Sequence, residues 1–309
     1  MTATTSMTPQ QSDSLKYAWD LQSKWSQAAD RLKRQVQSAR LLAAVLGLLG
    51  AILAALAGVL GEGTLQTSIT WLGAACLAVA PVILKSRVAP EQVRAWTLAR
   101  AASEKFKREV YGFLAGGPPY GIERSPKMLV ENCQKVLDNE DIKRVIPAIT
   151  DIQPENRPVP ELLTVADYSK QRLEGQAAWY NRKAARFGRL AHRFDNIIFG
   201  LGLIGAVLSA RMALGGGWAP LISPWVPVIT TVIAGIAAYA AAERYATLAI
   251  TYSAIATKLE NLKVQFSIDP NRDTPERIEQ FVSDCEEALS AENGGWVAEW
   301  SHEPDRSQT

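Results

Sequence analysis

The chain has 309 residues, of which 48% are hydrophobic and 21% charged, and its formal net charge is +2. So small a charge excess argues against nucleic-acid binding, and three cysteines without CxxC spacing argue against a disulfide framework or a zinc site. The mean hydropathy of -0.03 hides a very uneven distribution of apolar residues along the chain.

Residues 1–14 are polar and are expected to be disordered, and a first module is expected over residues 15–150. A stripe of Trp25, Ala29, Leu32, Val36, Ala39 and Ala43, spaced 4-3-4-3-4, predicts a helix with one apolar face. It leads into Leu41–Leu60, 20 residues without a charge, and after a short turn Gly63–Leu84 adds 22 more. A bilayer core of about 30 Å needs roughly 20 apolar residues of helix. Spans are therefore expected at about 41–60 and 66–84. The first apolar run is too long for a signal-peptide core and follows some 40 mostly polar residues. Pro81, inside the second span, should kink it. Beyond the spans, RAWTLARAAS (Arg94 to Ser103) belongs to a more polar helix, and Ser125-Pro126 is a good start signal for a short one. Three prolines in DIQPENRPVPE, residues 151–161, suit a linker.

A second module, residues 162–300, repeats this plan. At a shift of 155 residues the stripe recurs as Tyr180, Ala184, Phe187, Ala191, Phe194 and Ile198, and Gly47 and Gly50 fall on Gly202 and Gly205. Uncharged runs of 15 residues (Asn196–Ala210) and 31 residues (Met212–Ala242) predict spans at about 195–213 and 221–242. RYATLAITYS then repeats an R-x-x-T-L-A-x-x-x-S frame, so that Arg94, Thr97 and Ser103 match Arg244, Thr247 and Ser253 at a shift of 150. After it the apolar seam continues through Leu248, Tyr252, Ile255 and Leu259. The first copy's positions, Ala102, Phe106, Val110 and Phe113, predict a weaker seam. Thr274-Pro275 opens a terminal helix, and residues 301–309 form a tail.

The expected fold is an all-α membrane protein, with four transmembrane helices as two hairpins and long cytoplasmic helical extensions. Of 33 Lys and Arg residues, 20 lie in residues 85–195, 6 in 1–40, 6 in 243–309, and only Arg211 lies in a turn between paired spans. The positive-inside rule then places both termini in the cytoplasm. The competing reading is a soluble bundle with buried core helices.

Candidate site residues fall into three groups. Gly47, Gly50, Ala54, Gly58, Gly202, Gly205 and Ser209 form small-residue rows that allow close helix packing or line a lumen. Arg94, Thr97, Ser103, Arg244, Thr247 and Ser253 mark the exits of the second and fourth spans, where a Thr hydroxyl can bond back to a helix carbonyl. Arg182, Lys183, Arg186, Arg189 and Arg193 form a juxtamembrane basic cluster that suits anionic lipid head groups or, alternatively, an anionic nucleotide. No buried ionisable residue is expected in the spans, Arg211 lying near the outer end of its span where it can snorkel, and this argues against a proton-coupled transporter.

Enzyme chemistry finds little support. The two histidines are His192 and His302, and no GxGxxG, P-loop or HExxH pattern is present. No catalytic, metal or cofactor-binding residue is expected.

The stretches YSKQRLEGQAAWYNRKA, ERYATLAITYSAIATKLE and EEALSAENGGWVAEW resemble the DUF4231 family of the SLATT group, bacterial two-helix membrane modules. The Tyr-x3-Arg-x6-Trp-Tyr frame from Tyr168 and the closing Trp296 carry this resemblance. The first copy, with WDLQSKWSQAADRLKRQ, resembles a diverged module of the same group, so that the two cover about Tyr17 to Trp300. The resemblance implies a pore-forming effector of a bacterial conflict or antiviral defence system, placed in the inner membrane. It also implies a trigger that arrives through a nucleotide-signalling partner. Four spans with few polar side chains would not enclose a wide conduit alone, so a homo-oligomer is expected. The rival reading is a passive membrane scaffold whose cytoplasmic helices recruit a partner.

Overall fold

The computed structural model describes residues 7–60, 62–121, 123–215 and 217–301, the last eleven of them as backbone only. Among the described residues there is no strand. Helices α1 (Pro9–Val59), α2 (Thr64–Arg87), α3 (Pro90–Ala115), α4 (Pro126–Leu137) and the short α5 (Glu140–Lys143) form the first half. The second half begins with α6 (Val165–Tyr168), which runs through a π turn at Ser169–Glu174 into α7 (Gly175–Ala213). It continues with α8 (Ala219–Ile222), α9 (Trp225–Glu243), α10 (Tyr245–Ile268) and α11 (Pro275–Ser301). Four of the helical stretches are long and apolar enough to cross a membrane.

Residues 9–14, part of the stretch expected to be disordered, are helical and open α1. Thr8 and Gln11 form a reciprocal capping pair. The Thr8 amide donates to Gln11 Oε1 at 2.9 Å, and the Gln11 amide donates to Thr8 Oγ1 at 3.3 Å. With Pro9 at the first helical position this is a complete start signal. Gln11 Nε2 also donates to the Arg124 carbonyl, and Leu15 is wholly buried, so this end is packed.

The chain divides into two compact units, one built from residues 1–33, 93–183 and 251–309, the other from 34–92 and 184–250. The first unit is the more polar. Its core holds Trp25, Phe106, Phe113, Leu129, Tyr168, Leu259 and Phe281. Trp25 packs on Phe106 at 6.2 Å, and Phe281 stacks on Phe266 at 4.0 Å. Helix α3 is central here, with thirteen buried residues against four on α10. The expectation of a weaker seam after the second span is therefore overturned. Ala102, Phe106, Val110 and Phe113 are all 0% exposed. Small residues on either side of the aromatics, Ala99 and Ser103 among them, let other helices surround α3.

The Pro-rich stretch is also more than a linker. It runs antiparallel along α1: Gln27 Nε2 donates to the Gln153 carbonyl (2.9 Å), the Glu155 amide to Ser23 Oγ (3.0 Å) and Trp19 Nε1 to the Pro158 carbonyl (3.1 Å). Arg157 lies over the Trp19 ring at 3.5 Å and donates to the Trp19 carbonyl and to Gln22 Oε1. Prolines hold this backbone extended and remove its donors. Side chains of α1 take up the carbonyls that remain.

The second unit contains the apolar segments. Helices α1 and α2 cross where Gly50 meets Gly73, so closely that a Cβ on Gly50 would lie 2.7 Å from Leu77 Cγ and 3.0 Å from the Gly73 carbonyl oxygen. Helix α2 continues through Pro81 to Arg87. The apolar stretch of α7 has no buried residue at all. Phe199 is 75% and Leu203 59% exposed. Such a surface is costly in water at roughly 25 cal/mol per Å² and favourable against lipid.

Candidate functional site

In the polar unit, the signature frame of the second module closes on one carboxylate. Tyr168 Oη donates to Glu286 Oε1 at 2.9 Å, while Arg172 donates through Nε to Oε1 at 2.9 Å and through Nη2 to Oε2 at 2.8 Å. Arg172 is 2% and Glu286 3% exposed, and the guanidinium also lies 4.4 Å from the Tyr111 ring centroid. Burial alone would lower the guanidinium pKa, but the Glu286 charge and its hydrogen bonds outweigh burial and raise it. Burial, then the Glu286 charge, also pushes the Tyr168 phenol well above its ordinary range, so it stays a donor. The remainder of the frame grips α10. Trp179, Tyr180 and Tyr252 form a triangle with centroid distances of 5.0, 5.7 and 5.2 Å. The frame thus ties α6–α7 to α10 and α11. Glu286 was missed in the sequence because it sits among Asp284 and Glu287. The available signal was its place on the apolar face of Phe281, Val282, Cys285 and Leu289, where a charge needs a partner.

In the apolar unit, Glu243 ends α9 with its side chain buried. Gln37 Nε2 donates to Glu243 Oε2 at 2.8 Å, and Arg40 Nη1 donates to Oε1 at 3.4 Å and to the Ala242 carbonyl at 3.3 Å. Arg40 therefore neutralises the acid and supplies a donor to the Ala242 carbonyl at the end of α9, while the Arg244 amide takes up the Ala240 and Ala241 carbonyls. Arg244 follows in the left-handed conformation (φ 54°, ψ 34°), which stops α9 and lets α10 begin. This paired acid at the edge of the fourth span was not anticipated.

The small-residue rows separate on inspection. Gly50 is a contact and Gly205 a lesser one, its Cβ position 3.3 Å from Ile229 Cγ2. Gly58 would only reach Pro224 at 3.8 Å, while Gly47 and Gly202 have nothing within 4 Å. Ala54 and Ser209 are exposed. Gly73, the partner of Gly50, stood outside the expected rows. The exit frame is used unequally. Thr97 is buried and its hydroxyl donates to the Val93 carbonyl at 2.9 Å, Ser103 accepts from Gln22 Nε2 at 3.1 Å, and Arg94 pairs with Asp141 at 2.8 Å. In the second copy Thr247 and Ser253 are exposed. In the basic cluster Arg182, Arg186, Arg189 and Arg193 are exposed along α7, and Lys183 Nζ lies 5.4 Å from the Trp179 ring centroid. His192 is exposed. The side chain of Trp296 and all of His302 lie outside the described residues.

An all-helical chain with four stretches able to cross a bilayer defines a multi-pass membrane protein. Residues 168–296 match the family model SLATT_1, described as "SMODS and SLOG-associating 2TM effector domain 1", and residues 23–127 match DUF4231, described as a protein of unknown function. The chain belongs to this DUF4231/SLATT group, with its two modules in tandem. Both copies fall in the group that the sequence suggested, with the DUF4231 model on the first copy, where the resemblance had placed that name on the second. The SLATT_1 match begins at Tyr168, the first residue of the signature frame. No curated protein and no solved structure matches the chain.

Proposed function

We propose that this protein is a membrane effector that assembles into a homo-oligomeric pore in the bacterial inner membrane, within a conflict or antiviral defence system, and performs no catalytic step. The observation that carries the reading is the bare apolar surface of α7, which its own chain leaves uncovered, taken with the effector module matched over the same residues. Lipid covers such a surface in a single copy, and further copies cover it in an assembly. On this reading the polar helices and both termini lie in the cytoplasm, which the basic residues beside the spans support. There the exposed stripe of Arg182, Arg186, Arg189 and Arg193 meets anionic head groups. The trigger is assigned to a nucleotide-signalling partner protein.

The test is ion and dye leakage from liposomes that hold the purified chain, read beside its oligomeric mass. The pore reading expects leakage that rises with a defined oligomer and falls in Gly50→Leu, where the new side chain collides with Leu77 and the Gly73 carbonyl. Liposomes that stay tight with candidate nucleotides and a partner protein added would replace it with the passive scaffold.

A further inference from the structure

The apolar unit contains one feature that a pore reading does not use. An open-sided cavity of about 770 Å³ lies between α1 and α9. Gly47 and Leu48 line it from α1, Gly235 and Ile236 from α9, and Leu84 of α2 and Phe194 of α7 bound its sides. The space is real at side-chain scale. A Cβ added at Gly47 or at Gly235 would meet nothing within 4 Å. The walls are almost entirely carbon, since the Thr231 hydroxyl is already spent on the Pro227 carbonyl at 2.8 Å.

The cavity has a direction. At one end stand Arg40, Val88 and Ala242, where α1 enters its span and α2 and α9 leave theirs. From there it reaches Leu48 on α1 and Thr231 on α9. At about 1.5 Å of rise per residue this is a depth of roughly 12 to 16 Å. A bilayer core measures about 30 Å, so the cavity spans close to one leaflet's acyl layer.

Its mouth is basic. Arg40 spends only Nη1 on Glu243 and Ala242, and its Nε and Nη2 have no partner among the described residues. Lys85 and Arg87, beside Leu84 and Val88, are exposed, as is Arg193 beside Phe194. The acids there are Asp195 and Glu243, the second already paired with Arg40.

We propose that this cavity is a binding site for an anionic membrane phospholipid, with one acyl chain seated between α1 and α9 and the phosphate held by Arg40 and the basic rim. An apolar slot one leaflet deep selects an acyl chain, and free guanidinium donors at its mouth select the negative head group. The proposal rests on the membrane placement and is independent of whether the chain conducts. Leakage can fail while the lipid site stands, and the reverse.

The test uses the full chain in nanodiscs that contain phosphatidylglycerol carrying a photoreactive group on one acyl chain. Labelling is expected to concentrate at Ala44, Leu48, Ile236 and Tyr239. It is expected to be competed more strongly by unlabelled phosphatidylglycerol than by phosphatidylcholine with the same chains. Gly47→Leu with Gly235→Leu puts two side chains into the slot from positions where an added Cβ meets nothing within 4 Å, and should remove this labelling while the thermal midpoint holds. Lys85→Gln with Arg87→Gln should reduce the preference for the anionic lipid. The proposal is overturned if the cavity residues are labelled no more than the exposed Phe199 and Leu203. It is overturned equally if both lipids compete alike, or if cavity residues crosslink to a second copy instead.

Discussion

In the first module the helix that leaves the second apolar segment, α3, buries thirteen residues, whereas its counterpart α10 in the second module buries four. The same ten-residue frame opens both, yet Thr97 and Ser103 are enclosed while Thr247 and Ser253 face outward. The helix breaks differ as well. Helix α3 starts at Pro90, four residues ahead of Arg94, whereas α10 starts at Tyr245, directly after Arg244. The first module thus builds a core around its exit helix. The second holds its helices with a buried ion pair and an aromatic triangle. A repeated residue pattern therefore preserves the helix and not the job of each position on it.

The largest test of this contrast is the clasp at Glu286. Removing one partner of a buried ion pair leaves an uncompensated charge and costs about 3–5 kcal/mol. Arg172→Met should therefore lower the thermal midpoint of the detergent-solubilised chain steeply. The residue 155 positions earlier is Tyr17, 36% exposed. Tyr17→Phe should change stability by no more than about 0.5 kcal/mol. Equal effects from the two would mean that the modules are held alike.

The glycine rows give a smaller and sharper comparison. Gly50→Ala forces a methyl group against Leu77 and should destabilise by about 1–3 kcal/mol. Gly47→Ala enters open space and should be neutral or slightly stabilising, because Ala is the better helix former by roughly 1 kcal/mol. Thermal midpoints of the two variants, measured side by side, decide between a single crossing point and a uniform small-residue interface.

Smaller still is the exit frame. Ser103→Ala leaves the buried Gln22 amide without its acceptor, at a cost of about 1–2 kcal/mol. Ser253→Ala, on an exposed face, should stay within about 0.5 kcal/mol. If the two variants matched, the frame would have one role in both modules.

What the sequence made legible follows from which interactions leave a local trace. The four apolar segments were legible because lipid demands an unbroken run of uncharged residues, and the tandem plan because those runs come in pairs. The helix start at Thr8 has a local signal too, Thr-x-x-Gln with Pro at the first turn, set in an otherwise polar stretch. The strap over residues 153–158 was not, because its partners, Trp19, Ser23 and Gln27, lie more than a hundred residues away. Gly47 and Gly50 look equivalent in a small-residue row. Three residues of helix turn one about 60° from the other, and only Gly50 meets α2. Glu286 and Glu243 read as ordinary acids until Arg172 and Arg40 are seen against them.

The terminal helices are where the modules agree. Cys133 of α4 and Cys285 of α11 are both fully buried, and both thiols are raised from the ordinary value of 9.0. Burial comes first in each case, followed by the neighbouring Glu109 or Glu286 charge. Cys133 is pushed up to about 12. The folded state therefore keeps a proton that the unfolded chain gives up first. This stability is fully present below pH 9, the unfolded value, and is lost as pH rises toward 12. One pKa unit is worth about 1.4 kcal/mol, so at about pH 10 the Cys133 thiol alone costs the fold roughly that amount. Cys133→Ala should flatten the alkaline fall of the thermal midpoint, and Cys285→Ala should flatten it by a comparable share. A fall that neither variant flattens would assign the alkaline loss to the raised phenols of Tyr120 and Tyr168.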